Sequence, residues 1–99
     1  FICDWIDKYE AIYGKTPNIG SAYGYMYVDI TAKALEIAGR DLTTDSFIES
    51  LESIKDYQSL FGKSVLSWGP DKHLGANAAF LFEVQDGRFI QIDEKEYTY

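Results

Sequence analysis

The chain has 99 residues, 46% of them hydrophobic and 16% aromatic, a globular composition far from the disordered and fibrous classes. Its formal charge is −7, and the nine Lys and Arg are scattered without forming a cluster, so phosphate backbones and anionic membrane surfaces are poor partners. One cysteine, Cys3, and one histidine, His73, exclude an internal disulfide and the usual Cys/His zinc sets.

A chain of this size is expected to form one compact unit that buries roughly 60 to 65% of the surface its unfolded form exposes, so any apolar face left uncovered matters. No apolar run approaches the roughly 18 to 20 residues that span a bilayer. The chain opens Phe1-Ile2-Cys3-Asp4-Trp5, without a methionine and already inside an apolar, helix-compatible pattern, which we read as a cut through a longer protein. Beside Ile2 and Trp5, Cys3 reads as a small buried hydrophobe.

Ile2, Trp5, Ile6, Tyr9, Ile12 and Tyr13 recur at spacings of three and four, which predicts a first helix over 1–13 that Gly14 stops. The stretch 15–20 is a loop, since Pro17 biases Thr16 away from helical geometry and Asn18 and Gly20 are turn formers. A second helix is expected from Ser21, as N-cap, to Ala38, with Gly39 beyond its end. Met26, Ile30, Ala34 and Ile37 make one stripe, widened by Tyr27, Leu35 and Ala38, so this helix is expected to be largely buried, with Asp29, Lys33 and Glu36 on its wet side.

Thr43 or Thr44 is the expected cap of a third helix that places Phe47, Ile48, Leu51 and Ile54 on one face. Asp45 at its start and Lys55 at its end suit the helix dipole. After Tyr57 the period changes, and 64–68, 78–84 and 88–92 read as strands. Asp86-Gly87 is the pair a two-residue type I′ turn requires, so 79–93 is expected to be an antiparallel hairpin. Three helices followed by short strands make an odd complete domain. Helices this apolar call for a sheet to lie on, and the late strands are too few to supply one.

Little in the chain points to chemistry. Glu49 with Glu52, and Asp93-Glu94 with Glu96, read as solvated faces. His73 lies in a turn-rich loop and reads as tied to backbone or to Asp71, without a nucleophile placed beside it. Gly20-Ser21-Ala22-Tyr23-Gly24-Tyr25 lacks the spacing of a dinucleotide or phosphate loop. Its small residues can instead let a helix start approach a ligand or a neighbouring lobe. Tyr23, in the first turn, is the tyrosine expected to face a cleft, while Tyr25 and Tyr27 read as packing residues.

Together, Tyr13-Gly14-Lys15-Thr16-Pro17, Gly24-Tyr25, Ala34-Leu35-Glu36-Ile37-Ala38-Gly39, Leu42-Thr43, Leu51-Glu52-Ser53-Ile54, Pro70 with His73 and Gly75, and Val84 with Gly87 resemble the C-terminal region of type I solute-binding proteins related to the leucine/isoleucine/valine-binding protein. The resemblance covers nearly the whole chain. It implies an α/β parent of two lobes, each a parallel sheet flanked by helices, with an amino acid or similar solute held in the cleft and delivered to an ABC transporter permease. It also implies a periplasmic or cell-surface location, a helical layer over about 1–63, strands with a crossover over about 64–99, and no cofactor, metal or catalysis. By position in the resemblance, Ser21, Ala22 and Tyr23 are the candidate ligand contacts, and Tyr25 corresponds to a helix tyrosine that packs. The alternative is a small acidic interaction module that forms a homo-oligomer through an uncovered apolar face.

Overall fold

The computed structural model describes residues 2–62 and 64–98. Phe1, expected to open the first helix, and Lys63, at the expected boundary between helical layer and strands, lie outside the described residues. The helices are α1 (Ile2–Tyr13), α2 (Ile19–Ala38) and α3 (Thr44–Ser53). Six short strands follow: β1 (Tyr57–Gln58), β2 (Val65–Leu66), β3 (Ala78–Ala79), β4 (Phe82–Gln85), β5 (Arg88–Gln91) and β6 (Tyr97–Thr98).

Helix boundaries follow local chemistry. Asn18, and not Ser21, is the N-cap of α2: its backbone is extended, its side chain accepts from the Ser21 amide at 3.0 Å, and Ser21 closes a capping box as the third helical residue. Asparagine at 18, three residues before the expected cap, can reach that amide, so the helix begins earlier. Thr43 caps α3 in the same reciprocal way, with Ser46 returning the bond at 2.8 Å. Lys55 reaches back from beyond the C-terminus of α3 to donate to the Glu52 carbonyl at 2.9 Å and to the Trp68 carbonyl.

The strands differ more from expectation. Among the described residues they form three separate antiparallel ladders, β1 with β2, β3 with β6, and β4 with β5. The stretch expected as one strand over 78–84 divides at Phe80 and Leu81: Ala78 and Ala79 pair with Thr98 and Tyr97, and only Phe82 onward enters the hairpin. The hairpin is therefore Phe82 to Gln91 in register, extended by the Ile92 amide donating to the Leu81 carbonyl at 3.0 Å. Its turn is as expected, with Asp86 at φ 50° and Gly87 at φ 75°, the geometry of a type I′ turn. Likewise, 64–68 contributes only Val65 and Leu66, paired to a strand at Tyr57 that periodicity did not reveal.

The core lies where α2 crosses α3. Ile30, Ala34, Ile54 and Tyr57 are buried, with Met26, Phe47, Leu51, Leu66 and Trp68 packed around them. Ala34 has no exposed surface, so the small side chain admits α3 to close range. Much of α2 is not buried, contrary to its apolar content: Tyr27, Val28, Leu35 and Ile37 are exposed, because α3 covers one side only and, among the described residues, no sheet of more than two strands is formed.

Whole-chain dimensions carry the same message. The chain exposes 7611 Å², against about 5,700 Å² for a compact 11.3 kDa monomer. Its radius of gyration is 16.4 Å and its thickness 18 Å, where about 13 Å is usual for the radius at this length. The Cα cylinder of a helix is about 4.6 Å across and packed helix axes lie about 8 to 10 Å apart, so this thickness is that of about two helix layers.

One glycine marks a close approach. A Cβ at Gly75 would stand 2.6 Å from Trp68 Cζ2, against a ring that packs on the core. Gly75→Ala is expected to displace the indole and lower the urea-unfolding free energy by about 1 to 3 kcal/mol. Asn18→Ala and Thr43→Ala, each removing a cap, are expected to cost about 1 kcal/mol in the same assay.

Candidate functional site

The segment singled out by sequence, Ser21 to Tyr23, forms the first turn of α2, and the tight connection from α1 brings it against that helix. Gly14 ends α1 at φ 66°, and Thr16 turns back to donate to Glu10 Oε1 at 2.7 Å. Tyr9 on α1 then receives the Ser21 hydroxyl at 3.0 Å, the polar tie between the two helices. Below it Trp5 meets Tyr25 edge-on at 5.8 Å and Phe61 edge-on at 4.8 Å, an aromatic knot joining α1, α2 and the loop after β1.

Between these ties lies an open groove of about 610 Å³. Its walls are the aromatic ladder Trp5, Tyr9 and Tyr13 on one side and Ser21, Gly24, Tyr25 and Val28 on the other, with Asp4 and Lys8 at its rim. The ladder has a helical origin, since residues four apart on α1 stand over one another. Aromatic faces, four hydroxyls and one charge of each sign can receive a small solute carrying both apolar and polar groups.

The three candidates separate here. Ser21 lines the groove, but its side chain already accepts from the Asn18 amide at 3.4 Å and donates to Tyr9, so it also organises the helix start. Ala22 is half-buried and Tyr23 is 50% exposed; neither lines the groove, and Tyr23 stacks on Tyr27 at 6.1 Å between centroids. Tyr25, expected to pack, meets Trp5 and Phe61 edge-on but stays exposed and lines the groove as well. Sequence reading passed over Trp5 and Tyr9 as groove walls, although their spacing of four was the visible signal.

A second polar cluster lies at the other end of α2. Tyr57 donates its hydroxyl to Asp29 Oδ2 at 2.6 Å, and Lys33 Nζ stands 5.9 Å from the Tyr57 ring centroid. Burial, followed by the hydrogen bond to the Asp29 carboxylate, drives the Tyr57 phenol well above its ordinary range. Asp29 and Lys33 were expected on the wet side of α2; Lys33 is exposed there, whereas Asp29 is half-buried because β1 lays Tyr57 across it. The neighbouring Asp56 adopts φ 52°, a left-handed conformation bracketed by its amide donating to Ser67 Oγ at 2.8 Å.

Other sequence expectations are corrected by their partners. His73 Nε2 meets Glu52 Oε1 at 2.9 Å and not Asp71, because the loop folds over the C-terminal turn of α3. Glu52 is thus no bare solvated face. Asp93 likewise accepts from the Lys95 amide at 3.0 Å and from the Tyr97 hydroxyl at 2.9 Å, which sets the turn into β6. Cys3, expected to be buried, is exposed on α1, since its side of the helix is uncovered. Among the described residues no group of three or more His, Cys, Asp or Glu could hold a metal ion.

Comparison with known proteins turns on one result. A family model described as periplasmic binding protein matches residues 3–88, which includes all three helices, the core and the hairpin turn. The chain belongs to the periplasmic binding protein family. No curated protein and no solved structure matches it. Proteins of the periplasmic binding protein family bind solutes outside the cytoplasmic membrane and are in general not enzymes. No helix among the described residues is long and apolar enough to cross a membrane.

The Tyr57–Asp29 bond makes a test of the second cluster. Tyr57→Phe is expected to cost roughly 1.5 to 3 kcal/mol at neutral pH, the range for a hydrogen bond to a charged group. Because folding raises the Tyr57 pKa, its contribution is complete below the unfolded phenol range near pH 10 and is lost as pH rises beyond it. Urea unfolding between pH 8 and 11.5 is expected to show a steeper fall for the unsubstituted chain than for Tyr57→Phe.

Proposed function

We propose that this chain is the C-terminal part of a type I extracytoplasmic receptor that holds an amino acid, of the branched-chain class, between two α/β lobes and delivers it to an ABC permease. The family match over residues 3–88 carries the reading. The uncovered side of α2 supports the further step that the chain belongs to something larger: 7611 Å² of exposed surface suits a layer that packs on other residues better than a finished domain.

In this reading 2–62 contributes helices to one lobe, and the chain recrosses to the other lobe before or within the hairpin. Ser21, Ala22 and Tyr23 reach the cleft edge, where the exposed Tyr23 ring offers the bulk of the contact. A receptor of this kind closes by hinge motion over its solute and expels water, so that a few hydrogen bonds discriminate strongly. The permease recognises the closed form. The periplasm or the outer face of the cell membrane is the site of action.

A single lobe layer has nothing to close against. Calorimetry of the 99-residue chain with leucine, isoleucine and valine is expected to give no measurable heat of binding, and a micromolar dissociation constant would contradict the reading. In the longer receptor encoded by the same gene, Tyr23→Ala is expected to weaken the solute about tenfold, or ~1.4 kcal/mol. Unchanged affinity there would remove Tyr23 from the cleft.

A further inference from the structure

The groove between α1 and α2 is more selective in its wall chemistry than in its size. Its volume of about 610 Å³ falls within the range of about 300 to 1,000 Å³ usual for small-molecule sites. Trp5, Tyr9, Tyr13 and Tyr25 supply aromatic rings to it. Tyr9 and Tyr25 are inclined at 39° and 69° to the plane of Trp5, with centroids 5.7 and 5.8 Å from its own, so the three rings meet at corners and do not form one flat stack. Tyr25 is 44% exposed and offers its ring to a solute as well as to its neighbours. Ring faces carry partial negative charge, and a cation within about 6 Å of such a centroid is attracted without needing a hydrogen bond.

The rim narrows the choice of occupant. Asp4 and Lys8 both line the groove and stand one helical turn apart on α1, so it presents one charge of each sign and no net charge. A dipolar solute suits such a rim better than a bare cation or a bare anion. Tyr9 accepts from the Ser21 hydroxyl at 3.0 Å, which leaves the phenol its own proton to donate, and a carboxylate drawn to Lys8 is a fitting acceptor. The positive end of the solute meets rings. A primary ammonium needs acceptors for three N–H groups, whereas among the described residues Asp4 is the one carboxylate lining the groove. A quaternary ammonium has no N–H to satisfy, and its methyl groups gain by leaving water for an aromatic wall.

We propose that this groove binds a small quaternary ammonium carboxylate of the betaine class, with its trimethylammonium group against Trp5, Tyr9 and Tyr25 beside Asp4, and its carboxylate at Lys8 and the Tyr9 hydroxyl. The inference goes beyond the receptor reading and concerns a different place. Ala22 and Tyr23, assigned there to the cleft edge, do not line this groove, and all of its walls belong to the chain itself. Binding here therefore needs no second lobe and no closure.

The test is isothermal titration calorimetry of the 99-residue chain with glycine betaine, choline and 3,3-dimethylbutanoate, the last of which puts carbon in place of the quaternary nitrogen of betaine at nearly unchanged shape. Betaine is expected to give saturable heat and to bind about tenfold more tightly than the carbon isostere, with choline between them. Lys8→Gln, at an exposed position, is expected to weaken betaine severalfold and leave choline unchanged, whereas Asp4→Asn, also exposed, is expected to weaken both. Tyr25→Leu is expected to abolish the heat from either ligand, with circular dichroism following helix content; if that variant loses its helices, the two exposed variants decide. A chain that gives no saturable heat with betaine, or that takes the carbon isostere as tightly, would overturn the proposal and leave the groove to a packed neighbour in a longer protein. Equal weakening of betaine and choline by Lys8→Gln would overturn the placement of the carboxylate. The leucine, isoleucine and valine titrations above test the receptor reading separately, since a betaine result of either sign leaves their expected outcome unchanged.

Discussion

The contact of α2 with α3 at Ile30 and Ala34 governs the rest of this structure. Ala34 is completely enclosed, and around it Phe47, Leu51, Ile54 and Tyr57 gather from α3 and the strand that follows. A small residue here lets two helices approach, and the approach draws in β1, β2 and Trp68 behind them. Removed from that contact, the short strands have little to hold them, because two-stranded ladders are marginal in water without a face to pack on.

The contact is also one-sided, and the functional picture depends on that. α3 has 10 residues against the 20 of α2, so it can cover only part of the longer helix. What remains is a helix whose polar groups cluster on one side while its opposite side is tyrosine, valine, leucine and glycine. Hydrophobic burial is roughly proportional to the area covered, so a face of this composition is stabilised by whatever flat apolar surface reaches it.

The groove between α1 and α2 follows from the same geometry. α1 buries no residue of its own and is held by the Ser21–Tyr9 hydrogen bond and by Trp5 inserted against Tyr25 and Phe61. Few ties over twelve residues leave an aromatic-walled channel in place of a packed seam. Polar clusters elsewhere hold loops to helices: Lys55 and His73 fasten the 67–75 loop to α3, and Lys72 Nζ donates to the Ser67 and Gly75 carbonyls at 2.9 and 3.1 Å. Cations near helix ends and open carbonyls serve here as structural pins.

Sequence alone determined the local, short-range features. Spacings of three and four marked the three helices, Gly14 and Gly39 their ends, Thr43 or Thr44 a cap, and Asp86-Gly87 the turn, because each of these depends on residues within about one helical turn or one hairpin loop of each other. The ordered motifs from Tyr13 to Gly87 were also enough to suggest the family. Tertiary structure decided everything that depends on distant partners: that Tyr57 reaches Asp29 across 28 positions, that His73 finds Glu52, that Ala78 and Ala79 pair with Tyr97 and Thr98, and that Trp5 and Tyr9 wall a groove. It also decided which apolar residues are buried. Periodicity reports that a helix has an apolar face, but whether that face is covered depends on what else the chain brings to it, and here α3 covers Ala34 while Val28 stays in water.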